Sequence, residues 1–122
     1  MYSKKILKHF QNPKFAGEIK NPDAVGQEGN PRCGDVMKIF LKVKDNIIKD
    51  IKFKTFGCIA AIAASDMMCE LAKGKTIDEA LKIKPDDIVK GLGKMPPIKY
   101  HCSILGTQAL KNAIENYRRI KK

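Results

Sequence analysis

Residues 35–56 constrain this chain more than any other stretch, because they hold two alternating runs separated by one turn signal. Met37, Ile39, Leu41 and Val43 recur with period two, while Lys38, Lys42 and Lys44 take the opposite face. Phe40 interrupts that polar face. Asp45-Asn46 is a turn signal. Ile47, Ile51, Phe53 and Thr55 then alternate with Lys52 and Lys54. The pattern predicts an antiparallel hairpin with one apolar face that needs a cover. Ile59 to Lys73 can supply it: a run of Ala, Ile, Met and Leu with little charge, ended by Gly74 in a C-cap position. A helix apolar almost all round is a buried helix, and the hairpin is the surface it is expected to pack on.

The remaining segments read as helices and loops around that unit. Ser3 can cap a helix over about residues 4–11, with Tyr2, Ile6, Leu7 and Phe10 at helical spacing and Asn12-Pro13 as its stop. Residues 12–34 are rich in Gly, Pro, Asn and Asp and are expected to be irregular, with one short strand near Ala24-Val25. Long loops of this kind are often functional. Thr76-Ile77-Asp78-Glu79 is a capping box, and Lys84-Pro85-Asp86-Asp87 starts a further short helix closed by Gly91-Leu92-Gly93. Met95-Pro96-Pro97-Ile98-Lys99 is expected to be extended, since each proline excludes helix from its predecessor. A last helix is expected over about 103–119, with Leu105, Ala109, Ala113 and Tyr117 on one stripe. Arg118, Arg119, Lys121 and Lys122 suit its C-terminal dipole.

At 122 residues, 43% hydrophobic and 30% charged, the chain reads as one soluble globular domain over residues 1–122. No apolar run approaches the roughly 20 residues that span a bilayer, and the opening Met1-Tyr2-Ser3-Lys4-Lys5 lacks a signal-peptide core. Membrane association is not expected, and a cytoplasmic location is. There, thiols stay reduced, so four cysteines favour metal or redox chemistry over a disulfide framework. None of them forms a CxxC pair, which removes zinc ribbons and thioredoxin motifs. The net charge of +11 is spread along the chain, and aromatics are few. A base-stacking nucleic-acid surface is therefore poorly supported.

Three short segments carry the chemistry. Pro31-Arg32-Cys33-Gly34-Asp35, Phe56-Gly57-Cys58 and Lys99-Tyr100-His101-Cys102 each place a cysteine where a loop meets a helix or strand. Thiolate, imidazole and carboxylate are common ligands for zinc and iron. Convergence of the three segments would bring together three sulfurs, the His101 imidazole and the Asp35 carboxylate. Cys58 and Cys102 each sit just before a predicted helix, whose free N–H groups and partial positive charge favour thiolate. Cys69 lies eleven residues after Cys58, about 16 Å along a helix, too far to share one metal. It is expected to be a core residue, and His9 a surface histidine.

At these residues the chain resembles the IscU/NifU-type iron–sulfur cluster assembly scaffolds, the NifU N-terminal domain family. Cys33-Gly34-Asp35-Val36-Met37, Lys54-Thr55-Phe56-Gly57-Cys58 and the stretch from Met95 to Leu105 resemble the family's three cysteine blocks, in order. The Tyr2-Ser3 opening and the Asn12-Pro13 turn fit as well. The resemblance implies an α+β, SufE/NifU-like fold: a small antiparallel sheet of about three strands with helices on one face. It implies assembly of a nascent [2Fe–2S] cluster from Fe2+ and persulfide sulfur on Cys33, Cys58 and Cys102, with Asp35 or His101 as the labile fourth ligand. In the family the same site often holds Zn2+ when isolated. The implied partners are an IscS/NifS-like cysteine desulfurase, an iron donor, apo iron–sulfur acceptor proteins and an Hsp70-type chaperone. The chaperone would read Pro96, Pro97, Ile98 and Lys99, and Cys102 is the expected persulfide acceptor. The role implied is that of a carrier and not an enzyme. A zinc-bound sulfur acceptor that activates a desulfurase without building clusters shares the same ligand set. This chain departs from the family at Ile59 and Ala60, where glycine and serine are frequent, at Gly106, where alanine is usual, and at Met95, where leucine is more usual.

Overall fold

The computed structural model describes residues 4–30, 35–57, 59–93 and 101–120, with backbone alone for Asn30, Asp35, His101, Cys102 and Ile120. Its elements run α1 (Lys4–Gln11), β1 (Ala24–Asn30), β2 (Asp35–Lys44), β3 (Ile47–Phe56), α2 (Ile59–Ala72), α3 (Ile77–Leu81), α4 (Pro85–Leu92) and α5 (His101–Ile120). The strands form one antiparallel sheet in the order β1-β2-β3.

The expected hairpin is the centre of this sheet. Asp45 and Asn46 both adopt left-handed backbone, with φ of 54° and 65°. That is the two-residue turn whose twist matches the flanking strands, and Asp and Asn tolerate it best after glycine. Register then follows from burial. Met37, Ile39 and Leu41 of β2 and Ile51 and Phe53 of β3 point to one side and are at most 2% exposed. Helix α2 covers β3, and α5 lies over β1 and β2. The turn end of the hairpin is tied down by the α2–α3 link. Gly74 N–H donates to Ile48 O (2.9 Å), Ile48 N–H to Lys75 O (2.9 Å) and Ile77 N–H to Asn46 O (3.0 Å). Thr76 and Glu79 form the expected capping box at α3, and Gly74 takes the positive φ of a C-cap at 84°.

Phe40 is the residue the alternation could not place. It lies on the outer face of the sheet yet is only 6% exposed. Residues 15–17 run beside β3, where Phe53 N–H donates to Phe15 O and Gly17 N–H to Phe53 O, both at 2.9 Å. The chain then crosses the outer face to reach β1. Lys54 Nζ meets Glu18 Oε1 and Lys42 Nζ donates to Asn21 O, each at 2.6 Å. Phe40 lies on the face that this segment crosses, and Lys38 Nζ lies 5.4 Å from its ring centroid.

The third strand is longer than the sequence pattern suggests: Ala24–Asn30 pairs over its whole length with Asp35–Leu41. Its free edge is closed by α5. Asn116 Nδ2 donates to Val25 O (2.7 Å), and Asn112 Nδ2 to Gln27 O (3.0 Å) and Glu28 Oε1 (2.5 Å). Such close approach needs Gly26, because a Cβ there would lie 2.3 Å from Ala113 N and 2.5 Å from Ala109 O. Gly106 is different. A Cβ there would meet Ile88, Met37 and Met68 only at 3.7–3.9 Å, ordinary contact distances. Helix α5 also begins two residues earlier than expected, at His101.

These two glycines give opposite expectations in chemical denaturation. Gly26→Ala forces backbone apart and should cost about 3 kcal/mol. Gly106→Ala adds a well-packed methyl and better helix propensity, and should stabilise by roughly 0.5–1 kcal/mol.

Candidate functional site

Strand register brings several chain junctions to one end of the sheet. Asn30 at the end of β1 pairs with Asp35 at the start of β2. Val36 pairs with Phe56 at the end of β3, and α2 begins at Ile59. Helix α5 runs antiparallel to β1, since Asn116 meets Val25 and Asn112 meets Gln27. Moving towards the start of α5 therefore moves along β1 towards Asn30. The described flanks of Cys33, the described flanks of Cys58, and the helix turn holding His101 and Cys102 thus share that end.

Of the candidate ligands, Asp35 opens β2, and His101 and Cys102 occupy the first two positions of α5. Cys102 is inside the first helical turn and not before it, a correction that follows from the earlier start of α5. Cys33 and Cys58 lie outside the described residues, as do Pro96, Pro97, Ile98 and Lys99. Neither α2 nor α5 has an acidic residue in its first turn. No carboxylate in either first turn offsets the positive end of the helix dipole. On the outer face beside this end, Gln27, Val36, Lys38, Lys54 and Phe56 line an open depression. Phe56 is 66% exposed. Lys54, hydrogen-bonded to Glu18, holds that carboxyl below the usual glutamate range.

Two polar features behind the site were not read from sequence. Thr55, three residues before Cys58, places its hydroxyl 2.8 Å from Ser65 Oγ of α2. Ser65 Oγ in turn donates to Ala61 O at 2.9 Å. A serine within an alanine-rich buried run was the available signal, since a buried hydroxyl needs a partner. The second feature corrects His9, which is no surface histidine. Its Nδ1 lies 2.5 Å from Asp66 Oδ2, and Asp66 is fully buried. Phe15 N–H donates to the other oxygen at 2.9 Å. Asp66 itself was the signal: a carboxylate in the middle of a buried helix demands donors. The pair fastens α1 and the following loop onto α2.

Cys69 is the core residue its spacing predicts, fully buried in α2. Burial pushes its thiol well up from the ordinary cysteine value, and the negative charge of Asp66 adds to this. It is therefore a poor nucleophile. No helix among the described residues is long and apolar enough to cross a membrane.

In the folded protein, iodoacetamide at neutral pH should leave Cys69 unmodified, and it should label only after denaturant is added, as read by peptide mass spectrometry. Replacing His9 by Ala removes one of the two donors that the described residues bring to a buried carboxylate. It should cost about 3 kcal/mol in urea denaturation.

The family model of the NifU-like N terminal domain matches residues 1–122. The iron–sulfur cluster assembly scaffold protein IscU 1 of Archaeoglobus fulgidus is 58% identical over 119 residues, covering 98% of this chain and 78% of that protein. The iron–sulfur cluster assembly scaffold protein IscU of Escherichia coli is 48% identical over 121 residues, covering 96% and 94%. Among solved structures, a putative iron–sulfur cluster assembly scaffold protein for the SUF system from Fervidobacterium islandicum superposes with a TM-score of 0.77 at 25% identity, covering 93% of this chain and 96% of that one. The N-terminal part of a nitrogen-fixing NifU-like protein from Brucella abortus shares the fold, with a TM-score of 0.67 at 24% identity over 98% and 93%. With a three-stranded antiparallel sheet, helices on its inner face and a full-length match, this chain belongs to the NifU-like N terminal domain family.

Proposed function

We propose that this protein is a scaffold on which iron–sulfur clusters are assembled and from which they are passed on. Cys33, Cys58 and Cys102 supply three thiolates to a nascent [2Fe–2S] cluster, and Asp35 or His101 supplies an exchangeable fourth ligand. One observation carries the reading: in a chain of this family, the register β1-β2-β3 and the direction of α5 bring the described neighbours of all three cysteines to one end of the sheet.

The chemistry of the donor set supports transfer over storage. Asp35 offers a hard oxygen among soft sulfurs, so its bond is the easier one to exchange. Cys58 precedes one helix and Cys102 lies in the first turn of another, positions that favour the thiolate form. Sulfur arrives as the persulfide of a cysteine desulfurase. The Cys102 thiolate attacks its outer sulfur, a new S–S bond forms on Cys102, and the desulfurase thiolate leaves, with no net redox change. Converting two such sulfurs to sulfide takes four electrons. Two come from oxidising two ferrous ions to ferric, and two from an external electron donor. Pro96, Pro97, Ile98 and Lys99 would offer an Hsp70-type chaperone a handle for release to apo acceptor proteins. A reducing, cytosolic setting suits the thiols. The isolated protein would also take Zn2+ on the same donors.

Anaerobic reconstitution with ferrous iron, cysteine and a cysteine desulfurase tests the reading. Charge-transfer bands between about 320 and 460 nm should appear. Cys33→Ser, Cys58→Ser and Cys102→Ser should abolish them, and Cys69→Ser should not. A colourless zinc protein that still takes sulfur onto Cys102 would replace the scaffold reading by that of a sulfur acceptor. Asp35→Ala should slow the loss of a bound cluster to an apo acceptor, because it removes the exchanging ligand; faster loss would count against a labile aspartate.

A further inference from the structure

The described residues on either side of Cys58 in the sequence, the end of β3 and the start of α2, are joined through two hydroxyls in a fixed order. Ser65 Oγ gives its proton to Ala61 O at 2.9 Å. Each hydroxyl has a single proton, so the 2.8 Å contact between Thr55 Oγ1 and Ser65 Oγ is a donation from threonine to serine. The relay runs from the last residues of β3 to a carbonyl in the first turn of α2, and thereby bridges Phe56, Gly57 and Cys58.

Its surroundings make this relay stand out. Ala60, Ala61, Ala63 and Ala64 are fully buried, and Ile59 and Ala60 beside Cys58 offer no hydroxyl. Ser65 and Asp66 are the buried polar residues of α2 among those described, and Asp66 is engaged by His9 and Phe15. Methyl groups on a helix surface resist sliding along a strand poorly, because they have little to interdigitate. A directed hydrogen bond between the two arms fixes their offset where apolar packing leaves it soft.

We propose that Thr55 and Ser65 are positioning residues for Cys58. They hold the end of β3 against the first turns of α2, and so set where the Cys58 thiolate is presented to an incoming metal. The inference rests on the reading of Cys58 as a ligand.

The test is Zn2+ affinity of the reduced, metal-free full chain, measured by competition with a chromophoric chelator alongside the melting temperature. Thr55→Val keeps shape and branching, and Ser65 keeps its donation to Ala61. This variant should bind zinc roughly tenfold more weakly than the parent. Ser65→Ala should do the same from the other arm. Both should melt within a few degrees of the parent, and Thr55→Ser should restore the affinity. Zinc binding by Thr55→Val within twofold of the parent overturns the proposal. So does a Thr55→Ser variant as weak as Thr55→Val. Cys58→Ser separates the two levels. If it weakens zinc while Thr55→Val does not, the ligand reading stands and the relay alone is wrong. If Cys58→Ser binds zinc like the parent, the ligand reading fails and the relay proposal with it.

Discussion

Everything at the functional end depends on how closely α5 lies against β1. An interior strand would find hydrogen-bond partners on both sides, but among the described strands β1 has only β2. The carbonyls of Val25 and Gln27 face away from the sheet and are taken by the amides of Asn116 and Asn112. Gly26, between them, lets the helix backbone come within reach. The consequence is both protective and geometric. An open strand edge invites another chain to pair with it, and a helix laid along it prevents that. The same contact fixes the axial position of α5, so the turn with His101 and Cys102 stays beside the Asn30–Asp35 end of the sheet. The opposite edge is treated in kind, with residues 15–17 pairing briefly with Phe53.

Helix α2 solves a different problem. It is enclosed by β3, α1, α4 and α5, which small side chains allow and large ones would not. A surface of alanines fills space but specifies rotation and offset weakly. The two buried polar residues of this helix supply what the alanines lack. Asp66 binds His9 and the Phe15 N–H on the side of the N-terminal helix, and Ser65 meets Thr55 on the side of the sheet. Each polar contact joins residues from different elements, so together they orient α2 about its own axis.

What the sequence revealed of this arrangement divides along the range of the interactions. The hairpin, the Gly74 stop and the Thr76–Glu79 box are local devices, and periodicity or a short motif exposes them. Strand β1 is not local. Ala-Val-Gly-Gln-Glu-Gly-Asn has little intrinsic preference for extended structure, and it becomes a seven-residue strand only because β2 and the two asparagines of α5 satisfy its backbone. His9 and Asp66 are 57 residues apart, so nothing near His9 distinguished it from a solvated side chain. Phe40 breaks the alternation because the segment after residue 17 crosses the outer face of the sheet, bonded to Lys54 and Lys42, and that crossing is not local either. The cysteine segments were legible as motifs, but their meeting point depends on strand register and helix direction, which no motif contains.

That dependence explains why a transfer site would be built this way. Candidate ligands grouped on one helix would keep their spacing whatever happened elsewhere in the molecule. Here they belong to the sequence between β1 and β2, the sequence between β3 and α2, and the start of α5, three places that no single element holds together. The described residues that flank them are held by the α5–β1 contact on one side and the Thr55–Ser65 contact on the other. On the proposed reading, a partner that loosened either contact would change the fit of the ligand set without touching a ligand. On the scaffold reading proposed above, tight capture and prompt release would both draw on the same structure, because core packing as well as the metal bonds would decide how well the donors agree.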